Sequence, residues 1–193
     1  RITANRENWT SFLSMMARNY TFTYPEQVMI YAQRPNATLC KPYKEWNTEP
    51  YQRYVKKGSK GIALFVMNQE KPHLRYVFDV SDTDVCHSSP ALSTWKVTNE
   101  NRLYIMEAME RTFQVPSEGI LEYQLENIAI NLAKEYWDDF KKPILDIIAD
   151  SFLEEYDEYN IKVAFQTAVA NSVSYTMYSR LTENPDNYFE HED

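Results

Sequence analysis

Glycine, cysteine and histidine are scarce in this chain, whose 193 residues hold three, two and three of them. Cys40 and Cys86 are too few for a disulfide framework and lack C-x-x-C spacing, so a reducing, cytoplasmic setting is expected, with a single bridge between them left open. His73, His87 and His191 come without an H-E-x-x-H pair or clustered cysteines, which leaves no ligand set for a catalytic metal. Cys86 and His87 are adjacent, and neighbours on an extended segment point to opposite sides, so they do not make a nucleophile and its base. Long apolar runs are missing too. The longest charge-free stretch, between Lys162 and Arg180, contains Gln166, Thr167, Asn171 and three serines, too polar for a membrane span; it reads as a helix buried in protein. The chain opens on Arg1 without a basic and apolar leader and stops in HED, so it is expected to be a piece of a longer protein.

What is plentiful is tyrosine, fifteen of them, in a chain that is 44% hydrophobic and 25% charged. A chain of this size can bury roughly 70% of its unfolded surface, so a sizeable core is within reach. Charge is divided unevenly: residues 1–80 carry twelve Lys/Arg against six Asp/Glu, a balance of +6, and residues 81–193 carry eight against twenty-two, a balance of −14. The two account for the net −8. Such asymmetry marks a basic functional part with an acidic remainder, as in many nucleic-acid-binding proteins. Helices that are simply rich in glutamate would give the same tally.

The hydrophobic pattern predicts an α+β chain. Trp9, Phe12 and Met16 at helical spacing predict a helix from Arg6 to Tyr20, and Pro25 opens a second, ended near Arg34 by Pro35. A short helical turn is expected at YKEWN. IALFVMN and LRYVFDV read as an antiparallel hairpin, in which Leu74, Tyr76, Phe78 and Val80 alternate with Arg75, Val77 and Asp79. The polar stretch SDTDVCHSSPALS is the expected boundary, giving residues 1–88 and 89–193 as two parts. The second part reads as a helical bundle. Leu103, Met106, Met109 and Phe113 form one stripe; Pro116 and Ser117 cap a helix with Leu121, Leu125, Ile128 and Leu132 inward; Pro143 starts another with Ile144, Leu145, Ile148 and Phe152; and residues 161–181 form the last.

Gly58 and Gly61 fall within four positions in RYVKKGSKGIALFV, ringed by Lys56, Lys57 and Lys60. A Walker loop needs G-x-x-x-x-G-K-[ST] between a strand and a helix, whereas these glycines precede a strand, so nucleotide hydrolysis is disfavoured. What the stretch does offer is a turn where backbone N–H groups approach an anion and lysines add charge. A solvated hairpin turn would look the same in isolation. Upstream, aromatic residues alternate with cations, the pattern single-strand binding requires: rings stack on bases while cations follow phosphates. Trp46, Tyr51 and Tyr54 are the expected stacking residues; Arg34, Lys44, Arg53, Lys56, Lys57 and Lys60 are the expected phosphate contacts, with Gly58 and Gly61 permitting close approach. Trp9, Phe12 and Phe22 belong in the core. Asp79, Asp82 and Asp84 in FDVSDTD lack the glycine and terminal glutamate of a Ca²⁺ loop, and turn capping is the better reading.

The segments YTFTYPEQVMIYAQRPNATLCKPYKEWN, RYVKKGSKGIALFV and RYVFDVSDT resemble, over about residues 8–85, the N-terminal domain of ArdC-type antirestriction proteins. There a helix with an N/D-Q pair, a tryptophan, a V-x-K-G-x-K-G turn and an F-D-V-x-x-T strand end follow in that order. The ending SVSYTMYSRLTENPDNYFEHED extends the likeness to the N-terminal region of large helicase and methylase proteins of integrative and conjugative elements of Gram-positive bacteria. The resemblance implies a small domain that binds single-stranded DNA, and Gln27, Trp46 and the lysine turn match its pattern. ArdC-type proteins usually carry a metallopeptidase-like second domain; this chain has no H-E-x-x-H, so that activity is not implied.

Three functions follow as expectations. The first is a non-catalytic DNA-binding module without cofactor or metal, its partners single-stranded DNA and other domains of a parent protein, with no membrane. The second is an acidic interaction or DNA-mimic domain acting on a restriction enzyme or another basic partner. A purely structural adaptor is the third.

Overall fold

A computed structural model describes residues 2–67, 71–85, 97–149 and 153–181, together with Pro90, Leu92, Trp95 and Ser151. Cys86, His87, Phe152, His191 and the chain after Leu181 lie outside the described residues. The chain forms two compact units, Arg1–Trp95 and Lys96–Asp193. The fold class is α+β, with helices and small antiparallel sheets first and, among the described residues, helices alone after.

Helix α1 spans Arg6–Arg18 and starts where the Asn5 side chain accepts the Asn8 N–H at 2.8 Å. Helix α2, Tyr24–Gln33, opens on a capping box: Glu26 reaches back to accept the Thr23 N–H at 3.0 Å, and Pro25 sits in the first turn. Between the two helices Asn19, almost fully buried, donates to the Met15 carbonyl and accepts the Cys40 N–H at 2.9 Å. Gln27 donates to the Asn19 carbonyl at 3.1 Å. This polar chain ties the end of α1 to α2 and to strand β1, Cys40–Pro42. Cys40 is a free, buried thiol, pushed up to about 12 by its burial and then by the Asp79 carboxylate.

After the single helical turn α3, Tyr43–Trp46, come strands β2, Arg53–Val55; β3, Ile62–Met67; β4, Pro72–Asp79; and β5, Thr83–Val85. One sheet has the order β1-β4-β3 and the other pairs β2 with β5, every pairing antiparallel. Gln33 of α2 lies along β3, its amide donating to the Ala63 carbonyl at 2.8 Å and accepting the Ala63 N–H at 2.9 Å. Phe12, Leu13, Met15, Ile30, Ile62, Leu64 and Val77 form the core of this unit.

The hairpin is present as the sequence predicts, and its two alternating sets divide into a buried face and a solvent face. Val77 and Asp79 point inward, 0% and 1% exposed, while Leu74 and Tyr76 point to solvent. Asp79 can face inward because it accepts the N–H groups of Thr38, Leu39 and Ser81 and the Ser81 hydroxyl.

In the second unit, α4 runs Arg102–Phe113, α5 Leu121–Ile148 and α6 Glu158–Leu181. Helices α5 and α6 are antiparallel: Lys141 ion-pairs with Glu158 at 2.5 Å at one end, and the Tyr178 hydroxyl donates to the Glu122 carbonyl at 3.3 Å at the other. Met106, Leu121, Leu125 and Tyr178 form a shared apolar cluster. Four expectations are corrected. Pro116 and Ser117 do not cap α5, which starts only after Glu118 and Gly119, both at positive φ. Pro143 lies inside α5 instead of starting a helix, because Ile144, Leu145 and Ile148 continue the face laid down by the earlier turns. Leu103 and Phe113 do not join the inner stripe and are exposed, as are Val163 and Thr167 in the first half of α6, so α6 is buried mainly through Ile161, Ser174, Tyr175 and Tyr178. No helix among the described residues is long and apolar enough to cross a membrane.

Candidate nucleic-acid interface

Residues 56–61 link β2 to β3, and their backbone is held from several sides. The Lys56 N–H donates to the Asp82 carbonyl at 2.9 Å, and the Ser59 N–H to the Lys56 carbonyl at 3.2 Å. The Ser59 hydroxyl also reaches the Asp82 carbonyl, and Arg34 Nη2 donates to the Lys60 carbonyl at 3.3 Å. Gly58 takes φ +87, the left-handed region that only glycine enters at low cost. The turn is thus fastened to the segment after β4 and to α2. Lys56, Lys57 and Lys60 are all exposed, and none ion-pairs with a described residue.

The segment that fastens it is FDVSDTD. Asp79 caps the 3-10 turn Val80–Asp82 by accepting the Ser81 N–H, and the Asp82 carboxylate accepts the Asp79 N–H at 3.0 Å while pairing with Arg34. Burial alone would raise the Asp79 carboxyl, but the hydrogen bonds from Ser81, Thr38 and Leu39 outweigh it and hold the group below the ordinary carboxylate range. The capping role expected of this run is present at Asp79 and Asp82, and among the described residues no cluster of His, Cys, Asp or Glu could hold a metal ion. Its second role, anchoring the lysine turn, leaves no local pattern in the sequence.

The other expected contacts divide. Arg53 donates through Nε to Thr83 Oγ1 at 2.7 Å and is half-buried between β2 and β5. Arg34 is engaged by Asp82 and by the turn's backbone, so it positions the lysines and does not offer a free guanidinium. Lys44 is exposed on α3. Tyr54 is 44% exposed and lies directly across from Asp84 in the β2-β5 pair. Tyr51 is half-buried, its ring tilted at 5.2 Å from Trp46 with Lys41 Nζ 5.7 Å from its centroid.

Trp46 is corrected from stacking residue to core residue. It is 0% exposed and its indole N–H donates to the Phe78 carbonyl at 3.1 Å, so it has no ring face left for a base. Gly61 is corrected as well. A Cβ there would lie 3.1 Å from Phe78 Cζ and from Tyr76 Cβ, so this glycine makes room for rings of its own sheet, not for an anion.

Besides Tyr54, other large apolar side chains are presented to solvent in this unit. Phe65, Leu74 and Tyr76 stand on the outward face of the hairpin, and Tyr43 is edge-on to Phe78 at 6.0 Å. Sequence reasoning assigned Leu74, Tyr76 and Phe78 to one strand face and missed that this face is the wet one; the buried partner set, headed by an aspartate, is what hid it. Comparison of the chain with protein-family models, with curated proteins and with solved structures gives no match.

Proposed function

We propose that the chain is a non-catalytic DNA-binding module that favours single strands and works in the cytoplasm as part of a mobile-element protein of the antirestriction-related, ArdC-like kind. The observation that carries this reading is the lysine turn. Its backbone is fixed by hydrogen bonds to Asp82 and Arg34, while the ammonium groups of Lys56, Lys57 and Lys60 stay exposed and unpaired among the described residues. A polyanion gains most from cations whose backbone is already ordered, because less entropy is lost on contact. Arg53 lies two residues before the end of β2 and adds a fourth cation beside the turn. The sequence resemblance over residues 8–85 supports the same reading, and the acidic helices would dock other domains of the parent protein.

The test is a titration of a labelled single strand, and of the same sequence as duplex, at several salt concentrations. Replacing the three lysines with glutamine is expected to lower the slope of log K against log salt by about 2, roughly 0.7 per lost phosphate contact. Unchanged affinity and slope would remove the basis of the proposal.

A second reading rests on Glu135, Asp138 and Asp139, exposed together on successive turns of α5. Such a carboxylate face suits a basic protein partner, a restriction enzyme among them. Capture of such an enzyme in the absence of DNA tests it, and a clean negative leaves it without support.

A further inference from the structure

Side chains on a strand alternate between faces, so the hairpin β3-β4 has two distinct surfaces. The inward one holds Ile62, Leu64 and Val77. The outward one holds Ala63 opposite Tyr76 and Phe65 opposite Leu74, with Gly61 beneath the Phe78 ring. Phe65, Leu74 and Tyr76 are 48%, 54% and 53% exposed.

An antiparallel sheet with one solvated face ordinarily shows polar side chains there. This face has no charged residue on either hairpin strand, although the chain as a whole is strongly acidic. A continuous exposed apolar surface of this kind marks an interaction site. Two features of it select the occupant. First, small residues at the start of β3 and just before it lie beside large rings on β4: Gly61 by Phe78 and Ala63 by Tyr76. The Phe78 ring fills the space over Gly61, which leaves Ala63 as the low point beside Tyr76 and Phe65, open to a flat partner. Second, the lysine turn runs straight into its Gly61 end, so cations border a neutral aromatic surface.

We propose that this outward face stacks the unpaired bases of a single strand whose phosphates follow Lys56, Lys57 and Lys60. The inference rests on the DNA-binding reading above and names the surface that meets the bases. Phe65 and Tyr76 are diagonal neighbours across the two strands, about 7 Å apart, and ring-bearing sheet faces of this sort hold two or three bases. The arrangement also accounts for a preference for single strands: in a duplex the faces of the bases are stacked on one another and the rings have nothing to meet. Tyr54, set across from the Asp84 carboxylate, and the buried Trp46 are not needed.

The experiment uses the full chain at low salt with two probes of equal length, an oligothymidylate and an abasic sugar-phosphate strand. The thymidylate strand is expected to bind roughly five- to hundredfold tighter, the range that one stacked base confers. The double variant Tyr76→Leu, Phe65→Leu keeps apolar side chains at both positions, and circular dichroism checks that it folds. It is expected to bind thymidylate no better than the abasic strand, with the salt slope unchanged. Equal binding of the two strands by the natural protein, or a thymidylate advantage that survives in the variant, overturns the stacking surface while leaving the lysine turn standing. Failure of both strands to bind overturns both readings. Self-association that the variant abolishes without touching strand binding would assign the face to a second copy of the chain and overturn the proposal.

Discussion

Arg34, which caps the C-terminal end of α2, ion-pairs with Asp82, 48 positions further along the chain. Both side chains are mostly shielded from solvent, and the same carboxylate oxygen accepts the Asp79 N–H. Removing the cation leaves a shielded charge without its partner. Arg34→Met is therefore expected to destabilise the first unit by about 2 kcal/mol, read by urea unfolding. Adding Asp82→Asn removes the stranded charge, so the double variant should lose less than the two single losses summed. Full additivity would show that the pair is not coupled.

Asp79 gives a pH dependence whose sign is fixed. Its carboxyl in the fold is held below the ordinary value that it recovers on unfolding. The stability it contributes is present in full above that ordinary value, about 4, and is lost as pH falls through the lowered folded value. Asp79→Asn is expected to cost about 2 kcal/mol at neutral pH, since an amide replaces one accepting oxygen by a donor. The gap between natural protein and variant should narrow as pH falls from about 5 toward about 2. Urea midpoints across that range measure it, and a constant gap would contradict the assignment.

The two glycines of the lysine turn should fail for different reasons. At Gly58 a methyl group would meet nothing within 4 Å, but φ is +87; Gly58→Ala is expected to cost about 1 kcal/mol through backbone strain alone. At Gly61 the cost comes from Phe78 Cζ and Tyr76 Cβ. Gly61→Ala should therefore be eased in a Phe78→Leu background, whereas Gly58→Ala should not. Thermal unfolding of each glycine variant, with and without the Phe78 change, separates the two causes.

Pro143 has no N–H to donate to the carbonyl of Asp139 within α5. Pro143→Ala is expected to stabilise the helical unit by about 2 kcal/mol, seen as a higher unfolding midpoint by far-UV circular dichroism. A lower midpoint would mean that the ring's packing outweighs the missing bond.

Much of the fold could be read from the sequence. Capping residues and helical spacing locate α1 and α2, because those effects act within one or two turns. The hairpin was visible for the same reason. Which of its faces is buried was not, since both carry apolar residues and the decision falls to Asp79, whose partners at Thr38 and Leu39 lie about forty positions away. Proline misled twice, at Pro116 and Pro143, because a helix boundary depends on what the following residues can pack against. At the site, the lysines and Gly58 were legible as a turn. Trp46 was not legible as core, as its indole acceptor is a strand carbonyl distant in sequence.

Gln33 has a consequence that reaches beyond the fold. By meeting both polar groups of Ala63 with one side-chain amide, it occupies hydrogen-bonding positions that an incoming extended peptide would need in order to lengthen the sheet. Growth by strand addition, the usual route to edge-to-edge aggregation, is thereby blocked at this border. Recognition by this sheet is left to side chains, which can discriminate ring from chain, rather than to the backbone, which cannot.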